Sequence, residues 1–403
     1  MKNYDQGHEL PRLSLLKGFS ADAPETLPVS GQFSVVQDRV YLNNARRHPL
    51  SRGAGQARAD YLGARARGIW TPTLNSPESL AVRKGFADLI GALPAEIAFV
   101  NSTRAGENLI VKGLGLDQPG KHNIVTDALH YDGSLRLYVE LQKRGVDVRI
   151  LEPENWRIRM SDMEAAIDSN TRLVALSRIS FINGLEHNLK TVCDLAHARG
   201  AFVYADVVQS VGCMPLDVRE SGVDFVAAAT YKWLMGDYGL GFLYVRQDVL
   251  SNLQRSQWSC PQIEGLEYNT FPGDASGPFP ATSRQREDAA GQFEVGTDAN
   301  GVLAALTYSL PWIKSLGPAN IQRHNLSLNA TLRREMPRLG YPCITPEDAG
   351  GPIIAFSVKD DKATAARLTA KKIDVSLYPG RMRVSPSIYN TEADVQALLA
   401  ALS

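Results

Sequence analysis

GAFVYADVVQSVGCMPLDVRESGVDFVAAATYKWLMGDYGLGFLYVR, from Gly200 to Arg246, contains three apolar runs of strand length: Ala201–Ala205, Val223–Ala229 and Gly241–Val245. Glycine, proline and charged residues bound each run, as they bound strands buried in a sheet. Asp206 ends the first run, with Gln209 three residues on, and Lys232 stands just past the end of the second. A carboxylate and an amine leaving the same ends of adjacent buried strands are costly to bury unless something pairs with them.

Pyridoxal phosphate (PLP) uses both groups at once. It needs an amine to hold its aldehyde as a Schiff base and a carboxylate to keep its ring nitrogen protonated, so that the ring can act as an electron sink. The run D-x-x-Q-S-x-G at 206–212, followed by Y-K-W-L-x-G-x-Y-G-x-G-F-L-Y-V at 231–245, resembles class V of the aminotransferase-fold PLP enzymes. That family holds cysteine desulfurases, selenocysteine lyase-like and isopenicillin N epimerase-like proteins. The resemblance implies an α/β fold of type I. A large domain has a mostly parallel sheet between helices, and a smaller C-terminal domain is α+β. The plainer alternative is a salt-bridged Asp and a surface Lys in an ordinary α/β sheet.

Length and charge narrow the field. A chain of 403 residues can build two domains with a sizeable core. Lys+Arg and Asp+Glu both total 43, so no basic excess argues for nucleic acid and no charge run for a membrane surface. No stretch has the apolar length of a membrane span. Cys193, Cys213, Cys260 and Cys343 lie far apart without a C-x-x-C pair, which argues against zinc and a disulfide framework and fits a reducing cytoplasm. PRLSLLKG at 11–18 has one arginine and no apolar run after it, so export by a degenerate twin-arginine signal is the minor alternative.

The expected division is an N-terminal arm over 1–38, a large cofactor-binding domain over 39–300 and a small domain over 301–403. Tyr41–Ala45 matches the family's entry loop, which implies Asn44 and Arg46 at the substrate; Arg46, Arg47 and His48 read equally as solvated loop charges. A strand over Glu96–Asn101 runs through Ser102, Thr103 and Arg104 into a helix over Glu107–Leu114. Free N–H groups at a helix start make an anion site suited to the cofactor phosphate, and Arg104 stands where the family often has Thr. The resemblance implies that His130, after a strand over His122–Asp127, lies flat on the pyridine ring; Tyr131 is the alternative.

Ser161–Glu164 reads as a capping box. The strand over Thr171–Ser180 ends at Phe181, where desulfurases usually carry Asn, with Asn183 the nearest substitute. Strand, helix and strand from 171 to 206 form the βαβ pattern of a parallel sheet, whose ligands sit beyond the carboxyl ends of the strands. Gly, Pro, Ser and Gln dominate Trp258–Gln292, an expected long excursion. Phe293–Thr297 resembles an "FE-x-GT" element whose Thr crosses a dimer interface to the other subunit's phosphate, so Thr297 implies a homodimer with shared active sites. Arg383–Asp394 resembles the family run "R-V-S-P-x-x-Y-N-T-x-x-D", which implies Arg383 on the substrate's α-carboxylate. Arg381, two residues earlier, shares its face of the strand.

Carried over together, these matches imply a Schiff base on Lys232, Asp206 on the ring nitrogen, Gln209 on the phenolic oxygen, and Thr230 and Tyr231 near the phosphate. The expected activity is a PLP-dependent aminotransferase or a C–S or β-elimination lyase acting on an α-amino acid. Between Gly350 and Arg383 there is no cysteine to take up sulfur, so the expectation excludes a standard persulfide-forming cysteine desulfurase. An epimerase and a non-catalytic PLP-binding regulator are the alternatives. A nucleotide-binding oxidoreductase lacks its G-x-G-x-x-G after the first strand.

Overall fold

The structure is a computed structural model that describes residues 27, 29, 31–69, 76–264, 284–296 and 298–403. Among them a seven-stranded sheet is built from β1 (Ile97–Val100), β2 (Asn123–Asp127), β3 (Asp147–Leu151), β4 (Thr171–Ser177), β5 (Phe202–Asp206), β6 (Phe225–Ala229) and β7 (Gly241–Val245). Their spatial order is β1-β7-β6-β5-β4-β2-β3. Only β7 runs antiparallel, to β1 and β6; every other pairing is parallel. The expected mostly parallel sheet is therefore present.

Continuous apolar sequence follows from burial on both faces. Val203, Ala205, Val226 and Ala228 enter one core layer, with Phe86 of α1 (Pro77–Ile90) stacked on Phe242 at 4.0 Å between ring centroids. Tyr204, Phe225 and Ala227 enter the other, with Ile110 and Val111 of α2 (Thr103–Gly113) and Tyr138 of α3 (Asp132–Lys143). Helix α2 begins four residues before the expected start because the Ser102 hydroxyl accepts the Ala105 N–H at 3.2 Å. The capping box expected at Ser161 is corrected: that helix starts at Met160, and the Asp162 carboxylate is held by the Arg159 guanidinium at 2.8 Å.

A smaller antiparallel sheet, β8 (Ile354–Ser357), β10 (Arg381–Val384) and β9 (Ser376–Tyr378) in that order, forms the C-terminal domain. The final helix, Glu392–Leu402, covers it with Val395, Leu398, Leu399 and Leu402, and the capping box between Thr391 and Asp394 is present. Leu42 belongs to this second core, and Val40–Tyr41 pairs with Ile373–Asp374. The entry run at 41–45 thus lies between the two bodies. The helix Asn300–Leu316 packs into the large-domain core through Val302, Leu303, Leu306 and Leu310. Most of the arm expected over 1–38 lies outside the described residues, but Phe33 is buried against His48, Trp312 and Tyr389. Among the described residues no helix is long and apolar enough to cross a membrane.

His48 is enclosed where these bodies meet, bonded to the Ser387 hydroxyl at 2.8 Å. Burial lowers its pKa to about 4 from an ordinary value near 6.5. The folded state therefore binds this proton less readily than the unfolded chain does. Stability falls as pH drops from about 6.5 to about 4, by about 3 kcal/mol in all. Denaturant titrations of the wild type and of His48→Asn should show the wild type losing more stability across that window; parallel curves contradict it.

Candidate functional site

The site is laid out by strand register. Ser177 of β4 stands opposite Asp206 of β5, which stands opposite Ala227 of β6. All three strands run the same way, so their carboxyl ends open on one side of the sheet. The segment after β6 turns there, presenting Lys232 through a bend that closes with a Met235 N–H to Lys232 carbonyl bond of 2.9 Å. Gly212 locks this bend to the one after β5. Its φ is +95°, and an added Cβ would meet the Trp233 carbonyl oxygen at 2.5 Å, so only glycine fits. Across the same contact the Trp233 indole N–H donates to the Gln209 side-chain amide oxygen at 3.1 Å.

Lys232 is buried and, among the described residues, makes no side-chain hydrogen bond or ion pair. Its ammonium lies 5.9 Å from the Tyr131 ring centroid and 5.7 Å from that of Tyr231. Burial lowers its pKa to about 8. The Asp206 carboxylate opposes the shift, while the Arg383 and Arg104 charges add to it. Asp206 is itself buried, accepts the Val208 N–H at 2.9 Å, and has its pKa raised by that burial against the pull of His130 and Lys232. The acid and the amine therefore share one electrostatic environment.

His130 is fully buried. One ring nitrogen bonds the Ser177 hydroxyl at 2.8 Å and the other the Glu107 carboxylate at 3.0 Å. Glu107 also accepts the hydroxyls of Ser134 and Tyr138. Burial works against the charged imidazole, but Glu107, Asp206 and Asp127 outweigh it and raise the His130 pKa. Sequence reasoning missed Glu107. Its signal was a charged residue on the stripe of α2 that carries Ile110 and Val111.

Arg383 reaches the cleft from β10. Its guanidinium donates to the Phe181 carbonyl at 2.9 Å and to the Ser376 hydroxyl at 3.0 Å, while Nε is buried without a partner. Burial lowers its pKa, with Arg381 and Arg46 adding repulsion. Phe181 meets the Tyr131 ring edge-on at 5.2 Å, and the Arg104 guanidinium lies 5.3 Å from the same ring.

Other expected site residues are engaged elsewhere. The Asn44 amide donates to the Ser385 carbonyl at 2.9 Å and accepts the Tyr389 hydroxyl at 2.6 Å. The Thr230 hydroxyl donates to the Asp237 carbonyl at 2.6 Å. Gln209 donates to the Ala45 carbonyl at 2.9 Å, Asn183 to the Trp156 carbonyl at 2.8 Å. The Thr103 hydroxyl accepts the Ala229 N–H at 2.9 Å, tying the start of α2 to the end of β6. Tyr231 stacks on Tyr238 at 4.3 Å. Arg46 is exposed, Arg47 donates to the Tyr238 hydroxyl, and Thr297 lies outside the described residues.

Comparison with known proteins shows the family and the fold. The model of the family described as aminotransferase class-V matches residues 77–398. A probable cysteine desulfurase of Methanothermobacter thermautotrophicus is 26% identical over 400 residues, 93% of this chain and 96% of that protein. An uncharacterized aminotransferase of Bacillus subtilis, YcbU, is 24% identical over 90% of this chain and 94% of its own. Among solved structures, the apo cysteine desulfurase of Thermococcus onnurineus superposes with a TM-score of 0.80 at 23% identity, covering 94% of this chain and 98% of that one. At that identity the superposition speaks for the fold.

One expectation is corrected by these relatives. The chain was expected not to be a standard persulfide-forming cysteine desulfurase, yet proteins matching it along nearly its whole length carry that name. The argument from Gly350 to Arg383 concerned where a sulfur-accepting thiol lies, which is separable from the residues that act on the amino acid. PLP is the cofactor, as in the family and in a structural neighbour with glycine joined to it. The residues fit it: an unpaired buried amine between aromatic rings, a carboxylate beside it, and the capped start of α2 with Arg104.

A buried amine with a pKa of about 8 reacts with aldehydes at lower pH than surface lysines do. Borohydride trapping of PLP on the apo-protein should label the Lys232 peptide with a midpoint near pH 8. A midpoint near that of an ordinary lysine contradicts the burial argument.

Proposed function

The chain belongs to the class-V aminotransferase family, and from that premise we propose that it is a cysteine desulfurase, removing sulfur from an L-cysteine-type substrate. The observation that carries an amino-acid substrate is the pair of buried cations, Lys232 and Arg383, in one cleft with no carboxylate bonded to either among the described residues. Relatives named for this reaction along 93% of the chain support the choice of sulfur.

Asp206 and Lys232 would hold PLP, which would supply an electron sink for the electrons of the substrate's Cα–H bond. Arg383 holds the α-carboxylate through its partnerless Nε and the guanidinium edge beside it. Lys232, with a pKa of about 8, is poised near neutral pH to take the α-proton and later return one. His130 is held by Glu107 and Ser177 as a fixed, proton-bearing ring next to Asp206. Tyr131, Phe181 and Tyr231 wall the cleft and limit water.

Sulfur leaving the substrate passes to a thiol. Cys193 and Cys213 are buried, and burial pushes both thiols up, the first to about 12. Cys260 is exposed and Cys343 half-buried, so these two are the thiols of this chain that solvent reaches. We read the enzyme as a homodimer in a reducing compartment, on the Phe293–Thr297 run and four free cysteines.

Holo-enzyme given L-cysteine and a dithiol should release sulfide and alanine in equal amounts. Lys232→Ala should lose at least about 10³-fold in rate, and Arg383→Gln should raise the substrate KM by about 30-fold or more. Pyruvate with ammonia, or a keto acid with aminated cofactor, in place of alanine contradicts the reading.

A further inference from the structure

Arg381 and Arg383 project from the same face of β10, opposite Tyr378 and Ser376 of β9. Both guanidinium groups lie against one ring, 4.6 and 5.8 Å from the Tyr378 centroid. Among the described residues neither forms an ion pair, although Arg381 is half-buried and Arg383 is 2% exposed. Arg46 adds a third positive charge felt at Arg383. The acid whose charge reaches Arg381 is Asp132, at the first position of α3 next to His130 and Tyr131. Arg381 thus stands two residues along the strand face from Arg383, on the same Tyr378 ring.

Like charges crowded on one ring with no carboxylate bonded to either among the described residues repel one another, and an anion between them relieves the repulsion. One substrate α-carboxylate accounts for Arg383. Among the described residues it leaves Arg381 and Arg46 with no bonded carboxylate. Two residues along a strand span about 7 Å, the scale of a small amino acid with an acidic side chain. The neutral thiol of L-cysteine offers Arg381 nothing.

We propose that Arg381, assisted by Arg46, is a specificity-determining residue that binds a second anionic group, so that the preferred substrate is an L-α-amino acid whose side chain is itself negatively charged. The inference rests on the proposed role of Arg383 as clamp for the α-carboxylate. Nothing in it requires a particular fate for the side-chain group.

The test is equilibrium binding of L-cysteate, L-aspartate and L-alanine to holo-enzyme, followed by the absorbance of the bound cofactor. Wild type should prefer L-cysteate or L-aspartate over L-alanine by about tenfold or more, the scale of one charged hydrogen bond. Arg381→Gln should erase most of that preference and Arg381→Lys should restore part, with all three proteins melting cooperatively. A wild type without the preference, or an Arg381→Gln variant that keeps it, overturns the proposal. Sulfide release from L-cysteine is measured in parallel. If it is absent while the preference persists and depends on Arg381, the anionic-substrate assignment stands and the desulfurase reading alone falls.

Discussion

Lys232 and Arg383 are cations withdrawn from water with no carboxylate bonded to either among the described residues, and the surrounding packing holds them there. Burial of an unpaired charge works against the charged form, and both residues show it as lowered pKa values. The rigid sheet holds Asp206 and the turn bearing Lys232 at neighbouring strand ends. The small domain supplies Arg383 from a separate sheet. The cleft is consequently a place that favours anions: a phosphate, a carboxylate, and on our proposal a second acidic group.

Maintaining such a site depends on packing away from it. The φ of Gly212 and the Trp233–Gln209 bond fix one turn on the other. The Thr103 hydroxyl anchors α2 to the end of β6. Glu107 accepts from His130, Ser134 and Tyr138, so the buried imidazole has a fixed orientation and a reason to hold its proton. None of these groups needs to touch the substrate for the chemistry to depend on them.

The strands of the sheet were legible because burial on both faces leaves an apolar run that only glycine, proline and charge interrupt; Gly241–Val245 matches residue for residue. Asp206 and Lys232 could be singled out because ionisable groups at the ends of such runs stand out, and Arg383 because its run resembles one of the family's. The partners of Thr230, Asn44 and Gln209 could not. Their acceptors, Asp237, Ser385 and Ala45, are backbone carbonyls set by loop geometry and distant chain segments. Glu107 escaped notice for a related reason: its partners come from β2–α3, and only the folded chain brings them to α2. The choice among sulfur removal, transamination and elimination was not written in these residues, since all share the first proton removal. What the named relatives overturn is the exclusion of sulfur removal.

The most direct test of the central claim is the stability of the apo-protein with Lys232 replaced by Met. A folded pKa of about 8, against about 10.5 in the unfolded chain, means that the buried amine costs stability progressively as pH falls through that window, and the full cost is present below about pH 8. If Lys232 is an unpaired buried cation, Lys232→Met should be more stable than the wild-type apo-protein at pH 7, by up to about 3 kcal/mol. If the variant is instead less stable by a similar amount, Lys232 is held by a strong ion pair, and the account of an anion-demanding cleft is wrong.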